Sequence, residues 1–384
     1  MAIVRISRKG LKRVRAGHPW VFKSDVLMAD AYGGSVVTVL DEFENFVGKA
    51  FYSDSSEISV RVFCWEDKPI DDDFWRERFS EAIARRDCNS GRSDSRRLVN
   101  GESDLIPSVV VDAYGDCVVL QTLSQGAESL RADFVEIIRE LLQPQTIIER
   151  NDVKIREREN LPLSKGILHG ELKGPLVTKR DGILFEIDPI NGQKTGSFLD
   201  QQENHFRSRT YARGKALDCF TFQGGFAMNM ATVCSEVEAV DISDEAVSIA
   251  RRNASSNGLT NIRFTAANVF DFLREQEERS YDTVVLDPPA FVKSKAALKS
   301  ATRGYKEINL RGLKLIKKGG VLMTYSCSHH LSEESFVEIL RDAARDAKRR
   351  VQIVERHQQP SDHPTLLGMP ESSYLKGFVL RLLD

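Results

Sequence analysis

From about residue 188 onward, apolar runs of strand length alternate with stretches whose apolar residues recur at helical spacing. The runs are KALDCF, EVEAVDI, NIRFTAA, TVVLDPP and GGVLMTYSC. The helical stretches are GFAMNMATV, DEAVSIARRNASSN, VFDFLREQ, INLRGLKLI and EESFVEILRDAARDA. This alternation predicts an α/β fold, a doubly wound and mainly parallel sheet. Two later runs, RVQIVERHQQ and KGFVLRLL, predict an antiparallel hairpin at the edge of that sheet.

Upstream the pattern differs. Met1 to Glu66 carries the short runs SVVTVL, FVGKAFY and EISVRVF between turn residues, which predicts a small β-barrel. After Asp71 to Asp73 the stretch FWRERFSEAIARRD reads as a helix. Strands at SVVVDAY, CVVLQTL and TIIER, a helix over Ser129 to Leu142 and a hairpin around Lys179 to Gly182 then predict a compact α+β module. Asn89 to Arg97 reads as a polar loop. The expected domains are therefore 1–72, 73–187 and 188–384, and 384 residues exceed the usual size of one core.

In an open α/β sheet, ligands bind at the carboxyl ends of the strands. Two runs end there in reactive residues, Asp287 after TVVL and Cys327 after VLMTYS. The turn Asp218 to Phe226 contains two glycines but not the GxGxxG spacing of a dinucleotide site, which disfavours nicotinamide. Asp241 ends the second run, where a carboxylate can accept from a ribose diol, a helix cap being the alternative. Asn268 follows the third run and can meet an adenine edge or cap a helix. In Asp287-Pro288-Pro289-Ala290 the prolines remove backbone donors and hold the chain extended, leaving carbonyls to accept from an amino-bearing base. A plain structural turn is the alternative.

Composition narrows the setting. Hydrophobic residues make up 41% and charged residues 29%, and no apolar run approaches the roughly 18 residues of a membrane span. A chain that folds in water, without a membrane partner, is expected. MAIVRISRKG lacks the apolar stretch of a signal peptide. The six cysteines are scattered without CxxC spacing, so neither a metal site nor a disulfide framework is indicated, and a reducing cytoplasm fits best. Net charge is −2, yet Arg5, Arg8, Lys9, Lys12, Arg13 and Arg15 all precede the first acidic residue, Asp25. Such a cluster can bind phosphate on a near-neutral protein, or be a solvated basic face.

The third domain resembles the class I S-adenosylmethionine-dependent methyltransferases. The whole chain resembles the RlmI-like family of bacterial large-subunit (23S) ribosomal RNA cytosine-5 methyltransferases. The matching stretches are GHPWVF from Gly17, GQKTGSFLDQQEN from Gly192, DCFTFQGGFAMNMA from Asp218, LDPPAF from Leu286 and SCSHH from Ser326. The resemblance implies a PUA RNA-binding domain, a central β-β-α-β-β module and a Rossmann-like methyltransferase domain. It implies S-adenosyl-L-methionine as cofactor and ribosomal RNA as partner, and leaves a homodimer open. Residue by residue, it puts Lys194, Thr195 and Ser197 at the methionine end, Phe220 and Gly224 along the cofactor, Asp241 on ribose and Asn268 on adenine. Asp287 falls between sulfonium and base, and Cys327 is the nucleophile. Arg8, Lys9, Lys12 and Arg13 would hold RNA phosphates. Ser197 stands where many relatives have a bulky aromatic, Asn268 where many nucleotide-binding enzymes have Asp, and Asn160 where glycine is frequent.

Two other readings compete. DPPA is similar to the (D/N)PP(Y/F) motif of amino-methyltransferases, although Ala290 replaces the stacking aromatic. A non-catalytic ribosome-assembly factor would need neither Asp287 nor Cys327.

Overall fold

The computed structural model describes residues 2–86, 92–291 and 298–384. The chain forms two compact units. One comprises Met1–Lys179, Ile187–Leu199 and Ser361–Ser372; the other comprises Arg180–Glu186, Asp200–Pro360 and Ser373–Asp384.

The first unit begins with β1 (Ile3–Ile6), α1 (Arg8–Arg15), β2 (Trp20–Phe22), β3 (Val26–Asp30), β4 (Val36–Leu40), β5 (Phe46–Tyr52) and β6 (Ile58–Cys64). The six strands make one sheet in the order β2-β6-β5-β4-β1-β3, packed around Val4, Ile6, Val21, Val39, Val60 and Val62. The expected β4, β5 and β6 are present. Apart from Arg5 in β1, the basic cluster turns out to be helical: Ser7 caps α1 by accepting from Gly10 N, and Gly10 and Val14 face inward. Trp20 is half-buried, with its indole N–H donated to Glu102 at 2.8 Å.

Next come α2 (Asp72–Ala84), β7 (Ser95–Asn100), β8 (Val109–Tyr114), β9 (Cys117–Thr122), α3 (Gln125–Ser129), α4 (Arg131–Leu142), β10 (Thr146–Asn151) and β11 (Ser164–Gly170). Their sheet runs β11-β10-β9-β8-β7. Two corrections arise. Ser95 to Arg97, expected in a polar loop, opens β7, where Arg97 turns its guanidinium onto the buried Asp112 at 2.8 Å. β11 was not anticipated, because it is an edge strand with no fully buried residue. The end of the expected helix at Asp87, together with Cys88 and Asn89, lies outside the described residues. Asn160 takes φ 53°, a left-handed conformation that glycine adopts freely and Asn next best.

An aromatic seam crosses residue 72. Trp75 of α2 packs on Phe51 and Phe63 of the first sheet, with ring centroids 5.4 and 4.8 Å away, and on Phe134 of α4 at 5.4 Å. Helix α2 starts at a carboxylate cap, Asp71 accepting from Phe74 N at 3.0 Å. Asp71→Ala should therefore lower stability by about 1 kcal/mol. A urea titration of both proteins checks this, and equal midpoints would show the cap to be idle.

The hairpin of β12 (Leu176–Arg180) and β13 (Ile183–Ile187) turns at Asp181-Gly182, both with positive φ, as expected. The second unit continues with α5 (Gln202–Tyr211), β14 (Lys215–Cys219), α6 (Gly225–Ala231), β15 (Glu236–Asp241), α7 (Asp244–Ser256), β16 (Ile262–Ala266) and α8 (Val269–Glu275). After these follow β17 (Tyr281–Leu286), α9 (Leu298–Leu315), β18 (Ile316–Ser326), α10 (Glu333–Asp346), β19 (Val351–His357) and β20 (Lys376–Leu382). The seven-stranded order is β16-β15-β14-β17-β18-β20-β19, parallel from β16 to β18, with β20 antiparallel to both β18 and β19. The expected edge hairpin is there.

The sheet is doubly wound because it carries a core on each face. Leu217, Val284 and Leu322 pack with Tyr305, Ile308 and Phe336 on one side, while Ala216, Val285 and Met323 pack with Phe226, Val247 and Ala250 on the other. Helix α9 begins at Leu298 rather than Ile308, and β18 at Ile316 rather than Gly319. Among the described residues, no helix is long and apolar enough to cross a membrane.

Candidate active site at the carboxyl edge of the parallel strands

Parallel register brings the ends of β14, β15 and β17 level: Cys219 pairs with Val240 on one side and with Leu286 on the other. Asp218, Asp241 and Asp287 thus gather on one edge, and β18 brings Cys327 beside Asp287, Leu286 being paired with Thr324. Six of the expected site residues, Phe220, Gly224, Asp241, Asn268, Asp287 and Cys327, lie along this edge. Lys194, Thr195 and Ser197 belong to the first unit. There Thr195 is buried, donates to Asp112 at 2.6 Å and lies 3.0 Å from the Tyr114 hydroxyl, while Lys194 sits over the Phe198 ring.

The turn after β14 is wound tightly enough to place Phe220, Phe222 and Gly224 at φ 64°, 49° and 88°. Side chains rarely adopt that conformation, so the turn needs anchors. Asp218 supplies one: its Oδ2 accepts from Thr221 Oγ1 at 2.6 Å and from Ala227 N at 2.9 Å. Asp241 supplies another, with Oδ2 accepting from Phe222 N at 2.8 Å and Oδ1 from Ser243 N at 3.0 Å. The cap of α7 is Ser243, not Asp241, so capping does not account for the Asp241 carboxylate. Asn268 does cap its helix, its Oδ1 accepting from Phe270 N at 2.9 Å while the side chain stays exposed.

Burial pushes the Asp218 carboxyl up to about 7, and the nearby Asp287 and Asp241 carboxylates add to the rise. Its Oδ1 is buried and has no hydrogen-bond partner among the described residues. An orphan acceptor, the Asp241 carboxylate and a side-chain-free Gly224 together suit an adenosine-bearing ligand with an ammonium group. Phe220, Phe270 and Tyr305 ring Phe291 at centroid distances of 6.5, 6.0 and 4.7 Å, giving the edge an aromatic flank.

Asp287 is oriented by a residue that sequence reasoning missed. Gln201 donates from Nε2 to Asp287 Oδ1 at 2.9 Å, and its own Oε1 accepts from Asn204 at 2.7 Å, which fixes which end of the amide faces the carboxylate. Both residues sit in the stretch GQKTGSFLDQQEN, so the signal was present. The Cys327 thiol is partly exposed and lies 4.0 Å from the Pro288 carbonyl. Its neighbours are pinned: Ser326 Oγ donates to the Tyr305 hydroxyl, which also lies 2.9 Å from Ser328 Oγ. His329 and His330 are exposed, as their position at a strand end suggests.

In the amino-terminal sheet, Arg8, Lys9 and Lys12 are exposed on α1. Arg13 is partly withdrawn, paired with Asp25 at 3.1 Å and lying over the Phe22 ring, and Lys9 also approaches Asp25 at 3.6 Å.

Comparison with known proteins gives this edge a context. Residues 4–65 match a PUA-like domain and residues 212–367 a methyltransferase domain. The chain is 39% identical to a ribosomal RNA large subunit methyltransferase I from Erwinia tasmaniensis and 37% identical to one from Escherichia coli, each match covering 100% of both chains. Among solved structures, a provisionally named SAM-dependent methyltransferase from Streptococcus mutans matches with a TM-score of 0.84 at 20% identity, covering 99% of this chain and 100% of that one. A provisionally named methyltransferase complexed with SAH matches at 0.86 and 19%, with the same coverage. These two show the fold. Full-length identity at this level shows more: the chain belongs to the ribosomal RNA large subunit methyltransferase I family.

Proposed function

We propose that this protein methylates carbon 5 of a cytidine in large-subunit ribosomal RNA, using S-adenosylmethionine and a transient bond between Cys327 and the base. The observation that carries the reading is the pair formed at neighbouring strand ends, a held carboxylate at Asp287 and a partly exposed thiol at Cys327 against the Pro288 carbonyl. The relatives' names support the substrate class.

Carbon 5 of cytosine is too weak a nucleophile to take a methyl group unaided. Addition of the Cys327 thiolate to carbon 6 moves the ring π electrons toward carbon 5 and makes it nucleophilic. Asp287 accepts from the amino group of the base and supports protonation of its ring nitrogen as the sulfur adds. When bound, S-adenosylmethionine supplies the electrophilic methyl group; Asp241 holds its ribose, with Gly224 and Phe220 alongside and Asn268 toward adenine. The resemblance assigns Lys194, Thr195 and Ser197 to its methionine end. Transfer of the carbon 5 proton to a water molecule acting as base then restores the double bond between carbons 5 and 6, the carbon 6–sulfur bond breaks, and Cys327 leaves as the thiolate. Ala290, where amino-methyltransferases carry a stacking aromatic, disfavours methylation of the exocyclic amine.

Residues 1–72 serve as the RNA-binding part, 73–187 as the central module and 188–384 as the methyltransferase part. Incubation with labelled S-adenosylmethionine and RNA, followed by digestion to nucleosides, tests the reaction: 5-methylcytidine is expected. An N-methylated nucleoside would transfer the reading to the amino-methyltransferase class, and no labelled product would favour an assembly factor. For α1, replacing Arg8, Lys9, Lys12 and Arg13 by Ala should weaken RNA binding and reduce the slope of log K against log salt by up to about 0.7 per lost phosphate contact. Arg13 should contribute least, being already paired with Asp25. Affinities measured across a salt series decide, and identical slopes would leave α1 as a solvated face.

A further inference from the structure

On strand β20, Lys376 stands directly opposite Ser326, the last residue of β18 before the thiol. Its ammonium donates to the carbonyl of Ser328 at 2.8 Å, so the charge is held against the backbone on the far side of Cys327. The loop Ser326 to Ser328 is clamped from below by Tyr305 and capped by this lysine. We propose that Lys376 is a positioning residue that raises the thiolate fraction of Cys327, a role that rests on Cys327 being the nucleophile.

The surroundings explain why the charge is available for that purpose. Facing Lys376 are Cys327 and, at the start of α10, Glu333, both of which favour the ammonium; burial opposes them and holds the lysine down to about 8. Glu333 is already engaged by Arg356 of β19 at 3.1 Å. The remaining titratable groups on that part of β19 pair with each other, His357 lying 2.9 Å from the Tyr325 hydroxyl and 3.1 Å from Glu355. Nearby Tyr374 donates its hydroxyl to Asp200 at 2.9 Å, and His329 packs on the Tyr374 ring. A partly desolvated ammonium beside a thiol acts through a lower local dielectric than water, so its field on the sulfur is strong. The coupling is reciprocal: whatever favour the thiolate gives the ammonium, the ammonium returns.

The test follows alkylation of Cys327 by iodoacetamide as a function of pH in the full chain, read on the Cys327 peptide by mass spectrometry. Cys64, Cys117, Cys219 and Cys234 are buried and serve as slow internal references. Lys376→Met should raise the midpoint of reactivity by about one unit, lowering the rate near neutrality about tenfold, and Lys376→Arg should restore it. Equal midpoints in the wild type and Lys376→Met, or equal shifts in both variants, would overturn the proposal. Should Lys376→Met fail to fold, Cys327→Ala carries the reciprocal measurement. Competitive acetylation of Lys376 with acetic anhydride should then show a lower lysine midpoint than in the wild type, and an unchanged one would overturn the proposal. Neither experiment needs RNA or cofactor, so its failure is distinguishable from a failure of the cytosine-5 assignment.

Discussion

Cys327→Ala is expected to abolish methyl transfer while leaving S-adenosylmethionine affinity within a few-fold of the wild type. The expectation follows from where the thiol sits. Its contact is the Pro288 carbonyl in the DPPA stretch, on the side assigned to the base, whereas the carboxylate assigned to the ribose is at the end of β15. On the proposed mechanism, removing the sulfur leaves carbon 5 with no route to sufficient nucleophilicity, and a methyl side chain in its place disturbs little, because Ser326 and Ser328 remain tied to Tyr305. RNA carrying 5-fluorocytidine sharpens the result, since fluorine at carbon 5 cannot leave as a proton does. A covalent adduct, seen as a shifted band on a denaturing gel, should form with the wild type and be missing with the variant. Normal turnover by Cys327→Ala would exclude thiol catalysis.

The second large effect is expected at Asp241. Asp241→Ala should weaken S-adenosylmethionine by on the order of 10- to 100-fold, from about 1.5 to 3 kcal/mol for hydrogen bonds to a charged group. Two losses combine. On the proposed assignment the ribose hydroxyls lose their acceptor, and Phe222 N loses the oxygen that anchors a turn with two phenylalanines at positive φ. Calorimetry on the free protein separates them when paired with a melting curve, because release of the turn lowers apo stability and loss of the ribose acceptor does not. Unchanged affinity would reduce Asp241 to an anchor of its own loop.

The methyltransferase fold was legible in the sequence because buried parallel strands read as uninterrupted apolar runs and their covering helices as periodic ones. Elements that lack such a signature were missed for physical reasons. Helix α5 buries only Asn204 and Ser208, so its ten residues show no apolar face. Strand β7 reads as a loop because Arg96 and Arg97 interrupt it, and the charge of Arg97 is absorbed by Asp112, a partner fifteen residues away. Helix α1 carries five charged residues around Gly10, Leu11 and Val14, so charge was visible and helicity was not. At the site, Asp287 and Cys327 stood out because each terminates an apolar strand, while Gln201 did not: its role depends on a hydrogen bond to a residue 86 positions later.

The aromatic seam at Trp75 sets the smallest piece of the amino-terminal half that can be cut out and still fold. A chain ended at residue 72 would keep all six strands of the first sheet yet turn Phe51 and Phe63 out into water, each forfeiting about 1.5–3 kcal/mol of burial. Such a fragment would tend to associate through those rings instead of reporting RNA affinity. Dissecting RNA recognition in this protein therefore calls for fragments that retain α2 and α4, and domain swaps among relatives should exchange both sheets together.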